Sequence, residues 1–102
     1  MKKVDQNQFD ILRKINSKPN SSQRELASEL GFSLGKLNYC LKALKNKGLI
    51  KIKNFKTNPN KLGYAYILTP KGISIETRLT LNFMKRKMQE YDELKSEIES
   101  KK

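Results

Sequence analysis

Histidine is absent from the 102-residue sequence, and cysteine occurs once, at Cys40. Histidine is the side chain that most often transfers protons near neutral pH and ligates zinc. Its absence excludes His-based catalytic relays and His/Cys zinc sites, so we expect no enzyme activity, no metal and no cofactor. A lone cysteine cannot form an internal disulfide, which makes the cytoplasm the expected location.

Long apolar runs are absent as well. No segment approaches the roughly 20 apolar residues that span a bilayer, and residues 1–5 lead into a polar stretch rather than a signal core. We therefore expect no membrane association. The length suits one compact domain with one extra element, and a hydrophobic fraction of 36% is enough for a small core.

Acidic residues are missing from residues 30–75, a segment that holds nine lysines. The whole chain has a formal net charge of +12, so most of the excess lies in this one segment and both flanks are nearly neutral. Soluble surfaces usually mix the two signs. An acid-free block of this length predicts a face that binds a polyanion, with a generally lysine-rich composition as the alternative.

Two short helices are predicted near the N-terminus. Asp5 resembles a helix cap, and apolar residues then repeat at helical spacing to about Ser17. Ser22 and Glu25 form a capping box that opens the second helix, and Gly31 suits the left-handed residue that ends it. Leu30 is expected to point inward, and Phe32 to be a buried anchor after the turn.

A third helix is predicted from about Leu34 to Lys47, after a cap at Ser33 and before Gly48. Its inward stripe consists of Leu37, Leu41 and Leu44. Two short helices joined by a tight glycine turn form a helix-turn-helix. Cys40 borders the stripe, and a small buried residue is favoured there over a redox sensor because the chain has no resolving cysteine.

Two strands and a long helix follow. Residues 49–53 alternate apolar and basic, and residues 63–68 are aromatic and aliphatic, so both predict strands. Residues 54–62, between the two strands, are then predicted to form a hairpin with a basic tip. Tyr64 and Tyr66 share one strand face, which favours hairpin packing over a base-stacking platform.

The last helix has a cap and a proline at its start and reaches nearly to the C-terminus. Its apolar residues are spaced alternately by four and three, which is typical of a coiled coil. The candidate dimerisation residues are Leu81, Met84, Met88, Tyr91, Leu94 and Ile98. Lys95 interrupts the seam, so we expect a short or irregular coiled coil. A ligand pocket is the less favoured interpretation.

The order of these elements predicts a mainly α fold with a small β-hairpin. Residues 1–69 are expected to form a winged helix-turn-helix domain that binds DNA. Residues 70–102 are expected to form a long C-terminal dimerisation helix.

The third helix has the dimensions to enter a DNA major groove. Steps of 100° per residue away from its inward stripe place candidate reading residues on the opposite face, namely Gly35, Lys36, Tyr39 and Lys42. Asn38 lies on the border of that face and is a further candidate. Asn38 can pair with adenine, while Lys36 and Lys42 can reach guanine or phosphate. An ordinary solvated surface is the alternative for Asn38 and Tyr39, and Leu34 is ambiguous between core and groove.

Two further groups are candidates for phosphate contact. Ser22 and Gln23 can hold a backbone phosphate at the start of the second helix. Basic and amide residues of the hairpin can reach flanking phosphates or the minor groove, namely Lys53, Lys56, Asn58, Asn60 and Lys61. A charged tip that serves only solubility is the alternative.

Several sequence runs carry a resemblance to a known family. The runs SQRELA (22–27), GFSLGKLNYCLKAL (31–44) and KGLI (47–50) resemble bacterial winged-helix repressors. With NKLGYAY (60–66) and LTPKG (68–72), the chain is similar to small MarR-type regulators associated with exopolysaccharide (EPS) gene clusters. The resemblance implies a homodimeric transcription regulator that binds double-stranded DNA through Ser33, Gly35, Lys36, Asn38 and Tyr39.

One departure from the family concerns small-molecule effectors. Larger MarR proteins surround the winged helix with several dimerisation helices that form a cleft for phenolic ligands. This chain has a single helix after the wing, so a small-molecule effector is not expected.

A winged helix that binds an acidic protein partner is the rival function. RNA or single-strand binding is weaker, because aromatic residues are not interleaved with the lysines.

Overall fold

The computed structural model describes residues 3–54 and 64–101. Four helices and three strands follow one another along this part of the chain: α1 (Gln6–Ser17), β1 (Ser21–Ser22), α2 (Gln23–Leu30), α3 (Leu34–Asn46), β2 (Ile50–Asn54), β3 (Tyr64–Leu68) and α4 (Pro70–Ser100). The molecule measures 62 × 29 × 23 Å along its principal axes. The long dimension arises because α4 extends far beyond the packed part of the chain.

Each helix begins at a capping side chain whose oxygen accepts a hydrogen bond from the backbone N–H three residues later, at 2.8 to 3.1 Å. The caps are Asp5, Ser22, Ser33 and Thr69. Gly31 ends α2 and Gly48 follows α3, both with positive φ angles. The caps and the glycine stops are confirmed, because these signals act within a few residues of the chain.

The core lies between α1, α2, α3 and the sheet. Its fully buried side chains are Ile11, Leu12, Ile15, Leu26, Leu37, Leu44 and Leu49. The predicted inward stripe of α3 is confirmed, and Cys40 is buried beside it with 4% of its surface exposed. Leu30 packs against the core, which confirms its predicted inward direction, although it is only half buried. Phe32 also packs against the core, but it is half buried, so it is less buried than the sequence predicted.

The sheet has three antiparallel strands in the order β1-β3-β2, whereas the sequence predicted only the two-stranded hairpin. Ile50 of β2 lies opposite Leu68 of β3, and Ser21 of β1 lies opposite Tyr66. β1 falls at the end of the segment between the first two helices. A two-residue strand has no alternating pattern for the sequence to reveal, and only its pairing with β3 defines it.

The start of α4 is fixed to the chain that follows α3. A Cβ atom on Gly72 would lie 1.9 Å from the backbone oxygen of Leu49, so only glycine allows this approach. The Thr69 hydroxyl donates to the carbonyl of Gly48 at 2.6 Å, and the Thr69 N–H donates to the carbonyl of Leu49 at 3.0 Å. We call these contacts the α3–α4 junction.

The first turns of α4 also pack against α1. Glu76 is buried, and its carboxylate accepts a hydrogen bond from the Asn16 side chain at 3.2 Å. The rings of Phe9 and Phe83 lie 6.2 Å apart, and the Arg13 guanidinium lies 5.7 Å from each ring. These contacts set the direction in which α4 leaves the packed part of the chain.

Together these elements form a winged helix-turn-helix followed by a long C-terminal helix, as the sequence predicted. Within residues 3–54 and 64–101, no helix combines the length and the apolar character that crossing a bilayer requires.

Candidate nucleic-acid interface

One face of α3 is exposed along the whole helix, while the opposite face lies in the core. The exposed residues are Leu34, Gly35, Lys36, Asn38, Tyr39, Lys42, Lys45 and Asn46. The four residues that helical rotation predicted for this face are among them, as is Asn38, which was predicted on its border. Tyr39 is 78% exposed. We call this set of eight residues the α3 face. It presents amide, phenol, aliphatic and ammonium groups from a single helix.

Leu34 belongs to the α3 face, although its position around the helix left it ambiguous from the sequence. It is 50% exposed, whereas Leu37, three residues later, is fully buried. The exposed leucine adjoins Gly35, which has no atom within 4 Å of the place where a Cβ would be. The first turn of α3 therefore offers an open backbone next to an apolar side chain, a combination that can contact a thymine methyl group.

The α3 face is continuous with the start of α2. The side-chain amide of Gln23 donates a hydrogen bond to the side-chain oxygen of Asn38. From the sequence, Gln23 was a candidate for phosphate contact and Asn38 a candidate for base contact. No pattern could have linked them, because they lie on different helices 15 residues apart.

Two predicted serine contacts are helix caps in the structure. Ser22 is half buried and its hydroxyl accepts from the N–H of Glu25 at 3.1 Å, while Ser33 is exposed and accepts from the N–H of Lys36 at 3.1 Å. Each hydroxyl keeps its proton available for a second partner, since it acts as an acceptor in the cap. The Lys36 ammonium lies 4.0 Å from the ring centre of Phe32, at the edge of the α3 face.

Most of the lysines in the acid-free segment are exposed where the structure describes them, namely Lys36, Lys42, Lys45, Lys51, Lys53 and Lys71. Lys47 differs, because it is half buried and its ammonium donates to the Gln8 side chain at 2.6 Å. Lys53 lies on β2 at the base of the predicted wing. The other wing candidates, Lys56, Asn58, Asn60 and Lys61, lie outside the described residues.

Cys40 lies beneath the α3 face rather than on it. Burial raises the pKa of its thiol, and the negative charge of Asp5 adds to that rise while Lys36 opposes it. A raised pKa keeps the sulfur protonated and weakly nucleophilic near neutral pH. The position therefore agrees with a packing role for this residue.

The predicted dimerisation residues form a stripe on the far part of α4. All six, Leu81, Met84, Met88, Tyr91, Leu94 and Ile98, are between 51% and 66% exposed. Every residue from 84 to 101 is exposed. This stripe is therefore uncovered within the single chain.

Comparison with known families matches residues 4–51 to the winged helix-turn-helix DNA-binding family model. The match spans α1, α2 and α3 and ends within β2. Comparison with curated protein sequences finds no match.

Solved structures with the same fold include several transcription regulators. Streptococcus pneumoniae FabT in complex with DNA aligns over 85% of this chain with a TM-score of 0.71 and 23% identity. A MarR/EmrR family regulator from Acinetobacter sp. ADP1 aligns over 84% with a TM-score of 0.75 and 20% identity. The repressor CouR bound to a 23-mer DNA duplex aligns over 74% with a TM-score of 0.67 and 25% identity.

The chain spans only part of these structures, covering 59% of FabT, 59% of the Acinetobacter regulator and 52% of CouR. The shared part includes the winged helix-turn-helix fold. MarR-family regulators are thus structural neighbours of this chain.

Proposed function

We propose that the chain is a sequence-specific regulator of transcription that binds double-stranded DNA as a homodimer, with the α3 face in the major groove. The α3 face is the observation that carries the proposal. It combines groups that can read base edges with lysines that can neutralise phosphates, on a helix of the width that the major groove admits. The segment around it contains lysines and no acidic residues, and this positive charge favours a polyanion over any other partner.

Each part of the surface has a separate role in this proposal. Asn38, Tyr39 and Leu34 contact base edges, and the open backbone at Gly35 lets α3 approach the groove closely. Lys36 and Lys42 contact guanine or phosphate. Ser22 and Gln23, at the start of α2, hold a phosphate of the DNA backbone next to the bases that α3 contacts, as helix N-termini do.

The wing supplies contacts on either side of the major groove. Lys53 lies at its base, and Lys56, Asn58, Asn60 and Lys61 complete it in the proposal, on flanking phosphates or in the minor groove. Lysines in these positions add affinity that does not depend on sequence.

The comparisons support this function at the level of the fold. Two of the similar structures contain DNA, namely FabT and CouR. These neighbours support our proposal that the chain is a MarR-type regulator, and the sequence runs quoted above are the basis for proposing the EPS-associated group. In this proposal the chain acts in the cytoplasm and uses no catalytic group or cofactor, and the cleft in which larger MarR proteins bind phenolic ligands is not part of it.

The homodimer rests on the uncovered stripe of α4. We divide the chain into a DNA-binding domain at residues 1–69 and an arm at residues 70–102, with the first turns of the arm completing the core. Two copies joined through the arm would present their α3 helices to half-sites about 34 Å apart, one turn of DNA.

Selection of bound sites from a random duplex library tests the proposal directly. We expect pseudo-palindromic half-sites whose centres are about one helical turn apart. If each protomer neutralises about four phosphates, the logarithm of the affinity should fall with the logarithm of salt concentration at a slope near −7. A selected duplex that binds no better than random DNA at any salt concentration would contradict the proposal.

A protein-binding module is the rival function, and nuclease treatment separates the two. A DNA-binding regulator should lose its partner when a lysate is treated with nuclease before capture, whereas a protein binder should keep it. Competition with single-stranded DNA and RNA should leave the complex with the duplex unchanged.

A further inference from the structure

We propose that α4 pairs with α4 of a second copy in antiparallel orientation and in one register, selected by ion pairs of Lys85 with the partner's Asp92 and of Arg78 with the partner's Glu99. This inference specifies the geometry of the homodimer and rests on the proposed function only for the existence of that dimer.

The far part of α4 has the features of a surface that a partner covers. Most helices in proteins are stabilised by packing of an apolar face rather than by helix propensity alone. Yet residues 84–101 are all exposed, and the stripe includes side chains as large as Tyr91 and Met88. Contiguous exposed apolar surface of this kind marks an interaction site.

The two halves of the exposed helix carry opposite net charges, which favours a second copy as the partner. The basic residues of the first half are Arg78, Lys85, Arg86 and Lys87. The second half has two lysines, Lys95 and Lys101, against five acidic residues, Glu90, Asp92, Glu93, Glu97 and Glu99. Antiparallel pairing places the basic half of each helix against the acidic half of the other. Parallel pairing places the two basic halves together and the two acidic halves together, and this net like-charge arrangement destabilises a complex, even though single pairs such as Asp92 with the partner's Lys87 are attractive in it.

The residues that flank the seam select one antiparallel register. When Met88 packs opposite the partner's Tyr91, Leu81 lies opposite the partner's Ile98. The flanking positions on one side of the seam are Arg78, Lys85, Asp92 and Glu99. In this register Lys85 faces the partner's Asp92, and Arg78 faces the partner's Glu99. Flanking positions of this kind form the interhelical ion pairs of coiled coils.

Other registers lose these pairs. A shift of one heptad in one direction brings Lys85 against the partner's Lys85. The same shift in the other direction brings Asp92 against the partner's Asp92. Only the register with Met88 opposite the partner's Tyr91 makes all flanking pairs on this side of the seam attractive, namely Lys85 with the partner's Asp92 and Arg78 with the partner's Glu99.

Lys95 gives a second, independent preference for the antiparallel orientation. It occupies a seam position between Tyr91 and Ile98. In a parallel, in-register pair it would face the partner's Lys95, placing two ammonium groups together in the seam. In the antiparallel register it lies opposite the partner's Met84, and its aliphatic stem can cover that side chain while the charge reaches solvent.

Charge reversal tests the register. Lys85→Glu and Asp92→Lys should each raise the dimer dissociation constant roughly tenfold, because each replaces two attractive pairs of the dimer by repulsive ones. The double variant restores opposite charges and should return to within about threefold of the original value. Arg86→Glu is the matched control, since its position faces away from the seam, and it should change the constant little.

Sedimentation equilibrium of the full chain measures these constants. In a parallel pair Asp92 would instead face the partner's Lys87, so Asp92→Lys would weaken the dimer and Lys85→Glu could not rescue it. A double variant that stays as weak as Asp92→Lys alone, or a chain that is monomeric throughout, would overturn the inference.

A distance measurement tests the orientation without altering any pair. A nitroxide label is attached at Ser100→Cys in a Cys40→Ala background. The antiparallel register crosses midway between residues 89 and 90, so the two labels should lie about 32 Å apart at 1.5 Å per residue. Parallel pairing would bring them within about 15 Å, given helix axes roughly 8 to 10 Å apart.

These outcomes are separable from those of the proposed function. A parallel dimer that binds its selected duplex would overturn the register and leave the DNA-binding function intact. An antiparallel dimer with no sequence preference would support the register and contradict the proposed function.

Discussion

The side-chain amide of Gln23 donates a hydrogen bond to the side-chain oxygen of Asn38, joining the first residue of α2 to the middle of the α3 face. The bond uses an acceptor site of Asn38 and leaves its NH2 group free to donate to an acceptor on a base edge. Gln23 thereby fixes the direction of the Asn38 amide. A residue assigned to phosphate contact from the sequence acquires a role in positioning a base-reading residue.

Replacement of the two amides should give coupled losses of sequence discrimination. Asn38→Ala should lose about 1 to 3 kcal/mol of preference at one base pair. Gln23→Ala should lose part of the same preference, because Asn38 is then free to rotate. The double variant should differ from the sum of the single ones by at least about 0.5 kcal/mol. Fluorescence anisotropy with every single-base variant of the selected duplex measures these losses.

Gln89→Ala removes the same chemical group from an exposed position of α4 and serves as the control. It should leave the base preference unchanged. Strictly additive losses at different base pairs for Gln23 and Asn38 would show that the two residues act separately on DNA.

Removal of the Lys53 charge should act on all DNA sequences alike. Lys53→Ala removes a phosphate contact proposed at the base of the wing, so affinity should fall by a similar factor for selected and random duplexes. The salt slope should become shallower by about one for each phosphate that is no longer neutralised. Lys101→Ala removes an equal charge from the end of α4 and should change neither quantity. A base-specific effect of Lys53→Ala would mean that β2 reads sequence.

Two glycine substitutions should have opposite effects on stability. Gly72→Ala would force a Cβ to within 1.9 Å of the Leu49 backbone oxygen, and we expect a loss of at least about 1 to 3 kcal/mol in free energy of unfolding. Gly35→Ala meets no atom within 4 Å and should gain about 0.5 to 1 kcal/mol from its higher helix propensity.

Urea denaturation followed by circular dichroism measures both changes. Gly35→Ala should also bind DNA more weakly despite its greater stability, since the added methyl group blocks close approach to the groove. Equal stability losses in the two variants would contradict the close approach at the α3–α4 junction.

The thiol of Cys40 should react slowly in the native protein. Burial raises the pKa of this thiol, so the thiolate is scarce at pH 7 and becomes more abundant as the pH rises toward the raised value. Iodoacetamide should therefore modify native protein far more slowly than protein in urea, as followed by mass spectrometry. Added selected duplex should slow the reaction little, because Cys40 lies beneath the α3 face. Rapid native alkylation at pH 7 would instead indicate an accessible sensor cysteine.

Local sequence signals predicted most of the fold. Asp5, Ser22, Ser33 and Thr69 act on the backbone three residues later, and the stripe of α3 follows helical periodicity. The capping residues and the helical periodicity each involve residues that are close together in the sequence, so a single sequence is sufficient to identify them. Helical periodicity also predicted four residues on the exposed side of α3, and Asn38 on its border, and all five are exposed.

Contacts between distant parts of the chain could not be predicted in this way. β1 exists because Ser21 pairs with Tyr66, and the Gln23–Asn38 bond depends on how α2 crosses α3. The burial of Glu76 could not be predicted from the sequence either. Its charge suggests a solvated position, but Asn16 and Thr80 both donate to its carboxylate in the packed structure.

The α3–α4 junction also constrains the DNA sites that the dimer can use. Thr69 is bonded to Gly48 and Leu49, and Gly72 lies against the Leu49 backbone. The helix proposed to enter the groove is therefore fastened directly to the arm proposed to hold the partner. The distance and the angle between the two α3 helices of the dimer would then be fixed. Inserting even one or two base pairs between the half-sites should abolish tight binding, because each added base pair both separates the half-sites and rotates them relative to each other.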